Sequence, residues 1–447
     1  MNRQFTFRVQ WLTPLQEQFM FSLAQPQPRF VLVAILLLPI TTLAQQEETT
    51  LPDLWTLENS IQRVLDIAPE IKTAEAKVNA RQGALQQAGA WPNPTISVQS
   101  DDKLGIEDGS GGNDITQYAF SLPLPLSGRL SHQKAIASEA LQGAKANRRY
   151  QRLVLEQQTA MRFRQLQLTT ANLELAEQRL KLADELKAAT LRREQAGELS
   201  KLERLRLGLV REEAQQILDK AEGEYHEALS QYRAYLGLPS TVNLTLTPLR
   251  PLESVPPLAT FEMNLADQPL FVVAQHRIGA SQSNVKLSQA SRWPDPVLSV
   301  FQAEDFLGGR RQKSIGIGLS ITVPLWDRKS GQRSQSLAEV REAQSDLNSL
   351  RRDITSRVRQ SYIHLKHLVQ QATHYRARVF EPAREVLDLT NKAYLSGEVE
   401  ILSLIDANST YFNAHTRYLG LLQLAWTERA ELQLTAGRSS LNAEQEK

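Results

Sequence analysis

The chain has 447 residues with no cysteine, 51 Lys+Arg against 49 Asp+Glu, and 41% hydrophobic residues. The missing cysteines exclude a disulfide scaffold, a thiolate metal site and a cysteine nucleophile, and a net charge of +2 lacks the basic excess on which nucleic-acid binding depends. No phosphate-binding glycine loop, nucleophile elbow or metal-hydrolase motif occurs, so the sequence offers neither an active site nor a cofactor site.

Arg29 precedes an apolar run from Phe30 to Leu38, followed by Pro39 and a small-residue site ending at Ala44. A positive flank, a short apolar run and an alanine-ended site describe a secretory signal peptide over residues 1–44. A buried N-terminal helix is the competing reading. The run is too short to span a bilayer, which takes roughly 20 residues. Met20 to Ala44 alone has the proportions of a complete signal peptide, so Met20 is an alternative start. Cleavage would remove three arginines and one glutamate and leave the exported chain neutral. No later stretch is apolar enough for a transmembrane helix. Any membrane-spanning part must therefore be strands closed into a barrel.

The sequence is written twice. Ala68-Pro69 returns as Gln268-Pro269, and Trp91-Pro92-Asn93-Pro94 as Trp293-Pro294-Asp295-Pro296. Pro125-Leu126 returns as Pro324-Leu325, Ala196-Gly197-Glu198-Leu199 as Ser396-Gly397-Glu398-Val399, and Leu236-Gly237 as Ala436-Gly437. Landmarks in one order at one period near 200 define tandem repeats over 45–238 and 264–437. The proline-rich stretch 239–263 reads as a connector with little helix, and 438–447 as a polar tail.

Each repeat predicts helix, two strands, long helix, short break, helix. The opening helices run from about 57 to 90 and 265 to 292, and each ends before Trp-Pro because proline disfavours a helical residue ahead of it. The long segments 129–195 and 328–395 contain almost no helix breaker except Pro382, and each can extend about 95–100 Å. Leu166, Leu173 and Leu180 form one heptad line and Leu168, Leu175 and Leu182 a second, roughly 200° away around the helix. Two opposed seams fit a helix with a neighbour on each side, as in a closed wall around a lumen. A layered helical bundle would give the same pattern.

Strands are expected at about 95–100, 115–125, 297–302 and 313–323. Ile315, Ile317, Leu319, Ile321 and Val323 alternate with Ser314, Gly316, Gly318, Ser320 and Thr322. One aliphatic face and one small or polar face suit a membrane barrel strand, and equally a half-buried soluble sheet. Tyr118, Phe120 and Leu122 alternate in the same way with Gln117, Ala119 and Ser121. Polar loops at 101–114 and 304–312 suit the cell exterior, and Trp91, Trp293 and Trp326 sit where interfacial aromatics belong. Four strands cannot close a barrel, and known membrane barrels begin at about eight. Oligomerisation follows: two chains would give eight strands and a lumen plugged by side chains, three would give twelve around an open pore, and the trimer suits a conduit better.

The two Trp-Pro corners and the strand exits Pro125-Leu126-Ser127-Gly128-Arg129 and Pro324-Leu325-Trp326-Asp327-Arg328 resemble those of the TolC family of outer-membrane efflux proteins. The likeness covers nearly the whole mature chain and is closest in flavour to the heavy-metal-efflux, CzcC-like branch. It implies a mainly α chain with a small β-barrel part, assembled as a homotrimer. In the family, a 12-stranded β-barrel in the outer membrane of a Gram-negative bacterium continues as an α-helical tunnel through the periplasm. It also implies outer-membrane lipid, a periplasmic adaptor protein and an inner-membrane pump as partners. Some related branches are anchored by lipid on a cysteine, a residue this sequence lacks.

The stretch Tyr394 to Ala407 resembles the family's periplasmic tip, where paired helices turn at a glycine. The resemblance makes Asp406 the gate residue. The family's other acidic position is Ser403 here, and Tyr394 is the kept tyrosine. Val399 stands where the family has an arginine, so fewer charged links are expected to hold the gate. For Asp406 the competing reading is a solvated helix charge. Gly397, Glu398 and Val399, with Gly197, Glu198, Leu199 and Ser200 in the first repeat, resemble the tips that meet the adaptor. Plain helix turns are the other reading. His364, His367 and His374 fall within about 80° on one helix face, a spacing that can hold a soft cation, although no fitting carboxylate stands near them in the sequence. Three functions follow: a passive, non-enzymatic exit duct of a tripartite efflux pump, the exit duct of a type I protein secretion system, or a structural periplasmic coiled coil without a pore. The alternating strand 313–323 speaks against the last.

Overall fold

The computed structural model describes residues 54–100, 116–195, 200–263, 265–307 and 310–441. The expected signal peptide, the loop 101–114 and Gly197 to Leu199 lie outside the described residues. Helix α1 (Leu57–Ile67) begins at a capping box in which the Thr56 hydroxyl accepts from the Asn59 backbone and the Asn59 side chain accepts from the Thr56 backbone. Where one helix was expected over 57–90, the chain bends at Ala68, whose ψ of 124° is extended, and continues as α2 (Pro69–Ala88). Pro69 imposes the bend on the residue before it. The second repeat does the same at Gln268, ψ 125°, before α6 (Pro269–Ala290). Between these lie β1 (Thr95–Ser100), β2 (Thr116–Pro123), the 67-residue α3 (Arg129–Gln195), α4 (Lys201–Tyr235) and the short α5 (Leu258–Glu262).

The remainder is β3 (Val297–Leu307), β4 (Arg310–Ser320), α7 (Ser330–Tyr375), α8 (Glu381–Leu395) and α9 (Ile401–Thr435). Two boundaries differ from expectation. Leu307 pairs directly with Arg310, so most of the polar stretch read as an exterior loop over 304–312 is hairpin. Backbone pairing does not depend on side-chain polarity, and Glu304 and Lys313, cross-strand partners, form an ion pair at 2.8 Å. At its other end β4 stops at Ser320 rather than 323, because its partner β3 begins at Val297 and Pro296 ahead of it has no N–H to donate.

The helices lie side by side. α3 packs on α2 and α6 near the sheet and on α4 and α9 farther from it, while α7 packs on α6 and α9, and α8 on α9. The two leucine lines of α3 serve different neighbours. Leu166 joins Leu229 and Tyr232 of α4, whereas Leu168, Leu175 and Leu182 pack with Phe412 and Leu419 of α9. α3 therefore has a helix on each side, as the opposed seams predict.

The connector is mostly extended. Trp55 bridges to Leu246 and the Trp426 indole donates to the Arg250 carbonyl at 2.8 Å. The stretch read as a polar tail begins with docked residues. Arg438 donates to the Thr260 carbonyl at 2.9 Å, and the Ser439 hydroxyl and Ser440 amide donate to the buried carboxylate of Glu156 on α3.

Helices α4, α8 and α9 end alike. At Gly237, Gly397 and Gly437, with φ of 62°, 80° and 73°, the glycine amide bonds back to the third carbonyl before it and the following amide to the fifth. This doubly bonded end requires a left-handed residue, which glycine supplies without strain. A Cβ on Gly437 would also fall 2.9 Å from Gln268 Cγ. Gly437→Ala should therefore destabilise the second repeat by about 1–2 kcal/mol or more, read as a lowered thermal midpoint of the detergent-solubilised protein. Gly223→Ala, in helix with open space around it, is the control that should not fall.

The long helix expected over 328–395 is interrupted just before Pro382. Residues Arg376–Phe380 make one π turn between α7 and α8, in which the Glu381 amide bonds to the Arg376 carbonyl. Pro382 cannot donate and its ring crowds the carbonyl four residues back, and a wider turn relieves both. Phe380 at this turn stacks on Tyr418 at 5.2 Å between ring centroids and packs on His415 at 4.7 Å. Burial, then the nearby Arg384, lowers the His415 pKa from its ordinary value and favours the neutral ring.

Candidate functional site

The sheet is antiparallel in the order β1-β2-β3-β4. Its register gathers the aliphatic and aromatic residues of all four strands on one face. Ile96, Phe120, Val300 and Ile317 form one row across it, Leu122, Leu298 and Leu319 a second, and Val98, Tyr118 and Ile315 a third in which Gln302 is the one polar member. These side chains are exposed, Ile315 at 79% and Ile317 at 77%. An apolar surface of this extent on a folded chain marks contact with lipid or another protein. On the opposite face Ser97, Ala119, Ser121, Ser299, Gly316, Gly318 and Ser320 are small. Phe301 is the large exception, and its ring lies over Gly316, where any Cβ would overlap it. Trp91, Trp293 and Trp326 are exposed at the helix-proximal edge. Among the described residues no helix is long and apolar enough to cross a membrane.

At the far end of the helices, Tyr394 of α8 is buried with Leu186 of α3, Leu207 of α4, and Ile401 and Leu404 of α9. The four helices thus meet just inside the tips. Gly397 makes the second turn, with Glu398 exposed and Val399 partly buried behind it. Of the four first-repeat tip residues only Ser200 is described. Its hydroxyl accepts from the Glu203 amide at 3.2 Å while the Glu203 carboxylate accepts from the Ser200 amide at 3.0 Å, a capping box that starts α4. The Ser200 backbone and hydroxyl donors lower the Glu203 pKa. The pattern Ser200-Lys201-Leu202-Glu203 was legible in the sequence. Leu202, Leu205 and Leu209 of α4, exposed at 57%, 57% and 71%, form a stripe there that the sequence reading missed.

Ser403 and Asp406 lie exposed on one face of α9, one turn apart. Asp406 forms no hydrogen bond or ion pair among the described residues. The histidines need a correction. His364 does have a carboxylate, since its Nδ1 lies 2.9 Å from Glu428 of α9. His367 and His374 are exposed, and among the described residues no group of three or more histidine or acidic side chains is placed to hold a metal.

A four-stranded sheet clothed in aliphatics on one face and carried on helices of this length is the wall segment of a membrane conduit. Residues 60–238 and 261–438 both match the family described as "Outer membrane efflux protein", and the chain belongs to that family. It is an outer-membrane channel protein that extends into the periplasm and conducts without catalysing. The cobalt-zinc-cadmium resistance protein CzcC of Cupriavidus metallidurans is 22% identical over 389 residues, 86% of this chain and 90% of that protein. The nickel and cobalt resistance protein CnrC of the same organism is 23% identical over 73% of this chain and 75% of its own. A crystal structure of CusC superposes with a TM-score of 0.70 at 17% identity, over 86% of this chain and 92% of that one.

Proposed function

We propose that three copies assemble into a 12-stranded barrel continued by a helical tunnel, forming the passive exit duct of a tripartite pump whose cargo includes metal cations. The observation that carries this reading is the sheet. Its aliphatic face is exposed and its outer strands β1 and β4 each have one free edge. An exposed sheet edge in lipid leaves unpaired N–H and C=O groups at a cost of several kcal/mol each, so only closure by further copies is stable there. Heavy-metal-resistance relatives support a small cationic cargo over an exported protein. The purified mature chain should run as a trimer in detergent and form conducting pores in planar bilayers. A stable monomer without conductance would overturn the assignment.

The tips are the surfaces we assign to the adaptor, with Gly197, Glu198, Leu199 and Ser200 on one hairpin and Gly397, Glu398 and Val399 on the other. Gly397→Trp should abolish efflux in cells while leaving trimers in the membrane, because a bulky residue takes the left-handed turn only with local strain and also spoils the docking surface. Loss of the trimer itself would show that the glycine serves folding instead. The gate we assign to Asp406, with Ser403 one turn before it and Tyr394 packing the helices that carry it.

A further inference from the structure

The two hairpins define how one repeat maps onto the other. Thr95 pairs with Ser121 as Val297 pairs with Ser320, so β1 corresponds to β3 and β2 to β4. The contact between repeats is β2 on β3. Its counterpart, β4 on β1, cannot form inside one chain, because these are the opposite edges of the sheet. We propose that β4 of one copy pairs with β1 of the next in the transposed β2–β3 register, and that the corner beneath it sets Arg328 against Asn93 of the next copy. This rests on the trimeric reading and adds the seam.

Three observations carry it. At its helix-proximal end the transposed register matches like with like. Leu122↔Leu298 becomes Ile321↔Ile96, Phe120↔Val300 becomes Leu319↔Val98, and Ser121↔Ser299 becomes Ser320↔Ser97. It also gives a ladder partner to Ile321 and Thr322, which lie beyond the end of β4 and are exposed in the single chain. Finally, the intrachain corner is pinned by Asp295, whose side chain is 10% exposed and accepts from Ser127 Oγ at 3.2 Å and from Arg129 Nε. By the repeat, Asn93 replaces Asp295 and Arg328 replaces Arg129. Both are exposed and form no hydrogen bond or ion pair among the described residues. The corner between copies therefore keeps the arginine of the corner within each copy but has an amide in place of its carboxylate. The assembly alternates three ion-paired junctions with three in which the arginine meets an amide.

The cysteine-free chain allows a direct test. Val98→Cys with Leu319→Cys places the thiols on opposite edges of one sheet, three strand spacings across and four residues along, roughly 20 Å apart, too far for an internal disulfide. Oxidation should yield a covalent trimer, and Ile96→Cys with Leu319→Cys, displaced by two residues, about a tenth as much. Asn93→Asp should lengthen the lifetime of the wild-type-like trimer in SDS by about tenfold through a new charge-assisted bond, and Arg328→Ala should abolish that gain. Equal cross-linking by both cysteine pairs, or covalent dimers alone, would overturn the register. A gain from Asn93→Asp that survives Arg328→Ala, or no gain, would overturn the corner. A wild-type chain monomeric by mass in detergent would instead overturn the trimeric reading itself.

Discussion

Leu319→Arg should all but eliminate assembled channel from the outer membrane, whereas Ser320→Arg should assemble and change ion selectivity. The two positions are adjacent in β4, and the register puts Leu319 on the aliphatic face beside Leu298 and Ser320 on the small-residue face. A guanidinium facing lipid near the bilayer midplane costs roughly 2–4 kcal/mol. Threefold assembly incurs that cost three times, against a net stability of only about 5–15 kcal/mol for a typical fold. On the other face the same group stands in water and adds three positive charges to the bore. Trimer yield in isolated outer membranes and reversal potential in a salt gradient separate the outcomes. Equal loss at both positions would mean that the faces are exchanged.

Asp406→Ala should raise resting conductance and remove block by divalent cations added on the periplasmic side. Asp406 is exposed and unpaired in the single chain, and the gate proposed for it sets three carboxylates about a common axis. Like charges so placed repel and draw in counter-ions, and a divalent cation satisfies two carboxylates at once. Ser403, one turn away, adds hydroxyls where a second acidic ring would otherwise stand, so block should require millimolar rather than lower concentrations. Single-channel current with and without divalent cation decides the matter. Block unchanged in Asp406→Ala would leave this residue an ordinary surface charge.

Much of this architecture was legible because it is periodic. The strand alternation around Ile317 and the opposed leucine lines of α3 are local patterns, and the 200-residue repeat exposes equivalent corners. Contacts that join distant residues of unlike pattern were not legible. Nothing near Glu156 in sequence announces Ser439 and Ser440, and His364 finds Glu428 only once α7 lies on α9. The polar ends of β3 and β4 read as loop because composition there reflects exposure, while the ladder depends on backbone alone. At the tip, Gly397 and its left-handed turn could be read directly. The partner of Asp406 could not, because in the proposed trimer its nearest like neighbours belong to other copies.

The π turn at Arg376–Phe380 has a mechanical consequence. A turn with one residue more than the α-helical count shifts everything beyond it by about 100° in phase relative to the trunk. α3 has no such joint in 67 residues, so the first hairpin is a continuous strut and the second is segmented, with Phe380 and Tyr418 as the packed washer of its joint. Torque applied at the tips would be absorbed unequally. The α8–α9 arm yields at the π turn, while the α3–α4 arm carries the load to the sheet.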